Sequence, residues 1–182
     1  MKFTPLALSG AYLIDLEVAE DDRGFFARSY CEKEFSNHGL ETAWVQMNHT
    51  LTKSVGTIRG MHFQYPPNAE SKIVRCMKGA IWDVIVDLRE NSLTLGEWFG
   101  VELSSDNRSM IYIPKGFAHG FQSLHANAEL LYCHSNYYSP KNEGGLKYND
   151  PDVGIEWPLP ITELSDRDKK HPLLKDMSLV NL

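Results

Sequence analysis

The stretch Ala80-Ile81-Trp82-Asp83-Val84-Ile85-Val86-Asp87-Leu88 carries Trp82, Val84, Val86 and Leu88 on one parity and Asp83 and Asp87 on the other. Successive side chains of a strand point to opposite faces, so a period of two reads as an ordinary half-buried β-strand. Working outward, similar short segments recur at Tyr12–Val18, Phe25–Tyr30, Trp44–Thr50, Thr57–Gln64, Lys72–Met77, Trp98–Leu103, Ser109–Ile113, Phe117–Leu124 and Glu129–Tyr138. Asp22-Arg23-Gly24, Pro66-Pro67-Asn68, Lys78-Gly79 and Asp106-Asn107 separate them, residues whose backbone preferences suit turns. Ahead of Ser139 only Glu32–His38 reads as a helix, ended by Gly39 in the left-handed position. Beyond it Gly144-Gly145, Asn149-Asp150-Pro151, Trp157-Pro158 and Pro160 predict an irregular wrapping tail, with one helical turn near Ser165–Lys170 capped by Ser165. So many short strands in 182 residues predict an all-β fold, a sandwich or jelly roll with two sheets around one core, in a single domain spanning residues 1–182.

Composition narrows the function. Hydrophobic residues at 42% and charged residues at 23% are values of a soluble globular chain. Met1–Leu16 lacks the basic start and apolar stretch of a secretory signal. No run approaches the roughly 20 apolar residues that cross a bilayer, so no membrane contact and a cytoplasmic location are expected. Cys31, Cys76 and Cys133 are widely spaced and never form C-x-x-C, which fits neither a disulfide framework nor a zinc site. A net charge of −6 opposes nucleic-acid binding, since phosphates need a basic stripe, but it leaves room for a local basic pocket for one anionic ligand.

Thr57–Gln64 is the segment where polar and apolar residues mix, as a lined cavity requires. His62 and Gln64 share a parity with Ile58, and Gly60 marks a bulge that would bring Arg59 to the same side. Ile113-Pro114-Lys115-Gly116-Phe117-Ala118-His119-Gly120-Phe121 reads as P-x-G-x-x-H and resembles the second motif of the cupins, whose fold is a double-stranded β-helix. Arg59–Gln64 stands where their first motif carries H-x-H, and here it is H-x-Q. An amide replaces imidazole poorly as a transition-metal ligand, so neither metal nor any other cofactor is expected.

These motifs join Asp22-Arg23-Gly24-Phe25-Phe26, Gln46-Met47-Asn48, Pro66-Pro67, Lys72-Ile73-Val74-Arg75, Asp83–Arg89, Tyr137-Tyr138 and Asn149-Asp150-Pro151. In that order, over about residues 2–174, the chain resembles the dTDP-4-dehydrorhamnose 3,5-epimerase family. The resemblance implies a metal-free jelly-roll homodimer with N-terminal strand exchange, acting on a dTDP-linked 4-keto-6-deoxyhexose. A proton beside a ketone is only weakly acidic. Its transfer from one face to the other needs a base, an opposing acid, and a cation or donor at the ketone oxygen. His62 suits the base, because an unperturbed pKa of about 6.5 leaves neutral imidazole at pH 7; by resemblance it matches the family's catalytic histidine. The resemblance also assigns Asp168, in Ser165-Asp166-Arg167-Asp168, to orienting that histidine and Tyr132 to the opposing acid. It makes Lys72 the electrophile at the ketone oxygen, with His119 lining the site beside it.

Arg23, Arg59 and Lys72 supply charge for a diphosphate. Gln46, Asn48, Tyr138, Glu143 and Arg167 complete the implied binding set, and the segment holding Phe26 and Arg28 reaches the nucleotide of the neighbouring subunit. Arg28 stands where the family usually carries a carboxylate. That reversal leaves a GDP- or CDP-linked hexose or heptose open beside the dTDP hexose. Ser54–Thr57 and Glu70 also depart from the family and are expected to alter no assigned role. Inversion at both C3 and C5 is expected, with C3 alone as the competitor. Rival readings are a metal-dependent cupin oxygenase, a ketoisomerase, and a non-catalytic nucleotide-sugar binder that would need the pocket but not His62 and Tyr132. Asp83 and Asp87, beside Arg89, read as structural.

Overall fold

A computed structural model describes residues 1–182. In chain order it holds β1 (Lys2–Pro5), β2 (Tyr12–Asp15), β3 (Val18–Asp21), β4 (Gly24–Ala27), α1 (Glu32–Asn37), β5 (Gln46–Thr52), β6 (Ile58–Gln64) and β7 (Lys72–Lys78). Then come β8 (Ala80–Asp87), β9 (Trp98–Ser104), β10 (Met110–Ile113), β11 (Phe117–Ser123), β12 (Ala128–His134) and β13 (Glu143–Gly145). Six strands pair in the order β1-β2-β10-β7-β12-β5 and five in the order β13-β6-β11-β8-β9, all antiparallel, while β3 and β4 form a separate hairpin. This is the jelly roll, one of the two forms that the spacing of short strands allows and the one that the resemblance implies. The helix and its Gly39 at φ +69° stand where the sequence places them. The tail after β13 is irregular, with 3-10 turns at Asp168–Lys170 and Leu174–Asp176. Ser165 Oγ accepts the Asp168 N–H at 3.1 Å, as a cap would.

The apolar core lies between the sheets, where Val74, Cys76, Ile81, Ile85, Leu103, Ile111, Ile113, Phe117, Phe121 and Leu130 interdigitate. Two further clusters cover the outer faces. Phe35 of α1 packs on Ile14, Ile73, Met110 and Tyr112, and the tail lays Val153, Val180, Leu174 and Met177 over Met61, Phe63, Val84, Val86 and Leu88. That tail corrects the reading of β8 as half-buried. Both parities are covered, and the face towards the barrel interior is the one bearing Ile81, Asp83 and Ile85; the apolar alternation instead seats the tail.

Other boundaries shift for local reasons. Tyr12–Val18 breaks between β2 and β3, Phe25–Tyr30 shrinks to β4, and β12 stops at His134 because Ser135 N–H turns to the Ser71 carbonyl. β1 and β13 are too short to show a period. At Gly60 the register against β11 slips. His119 faces His62 and Phe121 faces Arg59, so one extra residue on β6 puts Arg59 and His62 on the same face. Ile58, opposite Gln122, is thereby turned to the other face, against the parity expectation. Glycine is required on both strands. Gly60 sits at φ +133°, and a Cβ there would stand 2.5 Å from Gly120 Cα. No helix is long and apolar enough to cross a membrane.

Candidate active site

At one end of the barrel the inward positions turn polar and enclose a cavity of about 270 Å³. His62, Arg59 and Gln64 come from β6, His119 from β11, Lys72 from β7, Tyr132 and His134 from β12, and Asn48 from β5; the site is shared by both sheets. Tyr138, Glu143 and Arg167 close its mouth, and Glu70 lies in the β6–β7 loop.

His62 Nε2 lies 2.7 Å from Asp168 Oδ1, and the second carboxylate oxygen accepts the Gly60 N–H at 3.3 Å. Arg167 also approaches Nε2, at 3.1 Å, but a guanidinium has only donors. The shorter bond to a carboxylate therefore keeps the hydrogen on Nε2 and leaves the Nδ1 lone pair free. Burial depresses the His62 pKa more than Asp168 raises it, so the imidazole is neutral at pH 7. Burial alone would raise the Asp168 pKa. Its bonds to His171 and His62 outweigh that and hold the carboxyl far below its usual range.

Tyr132 faces this pair from the opposite sheet. Burial pushes its phenol well above the usual value, so it stays protonated. His119 packs edge-on to it with ring centres 5.9 Å apart and bonds Asp83 at 2.8 Å. Burial pushes the Asp83 carboxyl up, and its Oδ1 is left without a partner. Asp87 instead bonds Arg89, Ser92 and Thr94, a purely local knot. Lys72 is buried, with Nζ 3.4 Å from Glu70 and 3.5 Å from the His62 carbonyl. Glu70 is thus no idle departure: it touches Lys72 and also accepts a bond from His134 at 3.0 Å.

At the mouth, Glu143 accepts from Tyr138 at 3.1 Å and from Arg167 at 2.9 Å, and Gln46 joins Asn48 to the Tyr138 backbone. The structure therefore gathers Asn48, Arg59, His62, Lys72, His119, Tyr132, Tyr138, Glu143 and Arg167 around one cavity, with Asp168 behind His62 and Gln46 at the rim. Three expected residues lie outside it. Arg23 is almost fully exposed at the hairpin tip and pairs with Asp21, and Phe26 is 78% exposed on β4. Arg28 is tied to Glu34 of α1 at 2.8 Å, so its reversed charge is neutralised within its own chain. Sequence reading missed Glu70 and His134 as site residues; the alternation along β12, which puts His134 on the same face as Tyr132, was the available signal.

Two places invite a metal. In the cupin position, Gln64 is already engaged by the Asn68 and Tyr137 carbonyls and the Ser139 N–H, so its amide is unavailable. His62, Asp168 and His171 bring ligand atoms within 4.8 Å of one another, but the Arg167 guanidinium stands beside them, a fixed positive charge that disfavours a cation.

The chain that builds this cavity has relatives among known proteins. A family model described as dTDP-4-dehydrorhamnose 3,5-epimerase matches residues 5–176. The chain is 45% identical over 170 residues to the dTDP-4-dehydrorhamnose 3,5-epimerase of Salmonella typhimurium, covering 92% of each. It superposes with a TM-score of 0.94 on the Legionella pneumophila epimerase in complex with dTDP-4-keto-L-rhamnose, at 34% identity, covering 100% of this chain and 98% of that one. A 3'-monoepimerase from Streptomyces bikiniensis in complex with dTDP-quinovose gives a TM-score of 0.88 at 33% identity, covering 94% and 86%. By family model, sequence and fold alike, the chain belongs to the dTDP-4-dehydrorhamnose 3,5-epimerase family.

Proposed function

We propose that this protein is a 3,5-epimerase of a dTDP-linked 4-keto-6-deoxyhexose and needs no cofactor. The observation that carries the reading is His62 on one sheet, backed by Asp168 of the tail, facing Tyr132 on the other sheet, with Lys72 buried beside them. The free Nδ1 of His62 takes the proton from the carbon next to the ketone. The C–H electron pair becomes the enolate double bond and the charge moves to the ketone oxygen, where the Lys72 ammonium stabilises it. Tyr132 then gives its phenolic hydrogen to the opposite face of the same carbon, inverting it, and the two side chains re-equilibrate with water. A hollow of about 560 Å³ on the outer side of His62 and Asp168 gives solvent access for that exchange. Applied at C3 and again at C5, the cycle inverts both centres.

Arg59, Arg167 and Asn48 suit the diphosphate and sugar hydroxyls. Arg23 and Phe26 belong to a second copy's site: the β3–β4 hairpin pairs with no other strand, and Phe25 and Phe26 stay exposed on it. A homodimer exchanging this hairpin fills both mouths, with the chain acting as one domain. Three free thiols suit the reducing cytoplasm. The test is NMR detection of deuterium uptake from D₂O at C3 and C5, using dTDP-, GDP- and CDP-linked 4-keto sugars with native protein and His62→Asn. Uptake at both carbons of the dTDP sugar, lost in the variant, is expected. Uptake at C3 alone would assign a monoepimerase, preference for another nucleotide would reassign the rim, and no uptake on any sugar would refute the reading.

A further inference from the structure

Glu70 and His134 take no part in the proton transfers above, yet both line the cavity and both are almost withdrawn from solvent. Their hydrogen bonds form one directed chain. The Gln46 amide donates to Asn48 Oδ1 at 3.2 Å, and Asn48 Nδ2 lies 3.2 Å from His134 Nε2. Because an amide nitrogen only donates, Nε2 must accept, and the imidazole hydrogen resides on Nδ1. From there it points at Glu70 Oε2, 3.0 Å away, leaving Glu70 Oε1 for the Lys72 ammonium at 3.4 Å. The other end of the chain is the rim, where Gln46 Oε1 accepts the backbone N–H of Tyr138 at 3.2 Å. His134 also stacks on Tyr132 at 6.1 Å with rings 22° apart, so the same imidazole braces the acid. Burial alone would raise the Glu70 pKa; the bond from His134 and the charge of Lys72 outweigh it and keep the carboxylate ionised.

We infer that Glu70 and His134 are positioning residues of the epimerase, a hydrogen-bonded relay that holds the Lys72 ammonium at the ketone oxygen and ties it to the rim loop of Tyr138. This rests on Lys72 acting as the electrophile. A long lysine stem has several rotamers, and an anionic anchor selects the one that reaches the oxygen; displacement by an ångström costs about 10²-fold in rate.

The test uses the full-length protein, with dTDP binding and thermal melting as checks on folding, and compares Glu70→Ala, Glu70→Gln, His134→Asn, Lys72→Ala and Glu70→Ala/Lys72→Ala. In deuterium uptake Glu70→Ala should lose about 10²-fold in kcat with little change in KM. Glu70→Gln, which keeps one acceptor for the ammonium, should fall between it and native protein. The double variant should be no slower than Lys72→Ala. The ¹⁵Nζ resonance of Lys72 should weaken in Glu70→Ala and His134→Asn. A Glu70→Ala loss of equal size with and without Lys72, or a raised KM with native kcat, would overturn the relay. If the resonance depends on Glu70 while Lys72→Ala leaves uptake intact, the relay stands and the electrophile assignment falls.

Discussion

Replacing Asp168 by asparagine changes one atom, and the geometry makes it more damaging than truncation. The two carboxylate oxygens have distinct partners: Oδ2 accepts the Gly60 N–H, and Oδ1 faces His62 Nε2 at 2.7 Å, with His171 and Arg167 farther off at 3.4 and 3.6 Å. An asparagine must keep its oxygen at the Gly60 position, because a backbone N–H needs an acceptor. Its amide nitrogen then points at Nε2 and donates. That forces the imidazole hydrogen onto Nδ1, the atom that must abstract the proton, and the base is blocked. Loss of a positioned base costs roughly 10²- to 10⁴-fold, so kcat for deuterium uptake should fall by that factor. Asp168→Ala frees the tautomer and loses only orientation and a charge-assisted bond worth about 1.5–3 kcal/mol, roughly 10- to 150-fold. Parallel kcat measurements on the two variants, with thermal melting as the check on folding, decide the matter. An asparagine variant more active than the alanine variant, or one retaining well over about a hundredth of native activity, would refute the tautomer argument.

The pH profile of native uptake should stay flat from pH 7 upward and fall only in acid. His62 has a lowered pKa, so its active neutral form persists below the ordinary histidine range and is lost only in more acid solution, whereas the raised Tyr132 phenol stays protonated past about 10; stopped-time NMR across pH 5–10 checks this. Stability follows the same side. A depressed histidine contributes above its unfolded value near 6.5, and the depressed carboxyls of Asp168 and Glu70 contribute above about 4; these contributions are lost as pH falls, so urea midpoints should drop in acid. Tyr132→Phe should cut epimer formation by roughly 10²-fold or more while wash-in on the base side persists, which separate NMR of product and recovered substrate distinguishes. Gly120→Ala should destabilise by about 1–3 kcal/mol, since its Cβ would stand 2.5 Å from Met61 Sδ and 2.9 Å from the Arg59 carbonyl; a melt within a degree of native would contradict that packing.

Much of this was legible in the chain because strands announce themselves by parity. β5 to β12 fall within a few residues of their expected places, and side chains on neighbouring inward positions converge without further information. Gly60 marked the bulge that turns Arg59 to the His62 face, but parity failed for Ile58 beyond it and where a tail buries a second face, as on β8, which leaves no periodic trace. His62, Lys72 and Tyr132 stand in strands, so motif order locates them. Glu70 escaped because His134 is brought to it only by the pairing of β7 with β12, which sets His134 opposite Lys72, and pairing is a property of three dimensions. Arg23, Phe26 and Arg28 came with the resemblance alone, and the β3–β4 hairpin before Arg28 pairs with no other strand of the chain.

The carboxylate that sets the base belongs to the wrapping tail, 106 residues from the histidine it serves. The barrel strands and their interior are complete without it, while the proton-abstracting tautomer is not. Activity therefore reports on how the tail is seated as well as on the scaffold. A mild loosening beside Asp168 should therefore lower turnover before it lowers sugar-nucleotide binding.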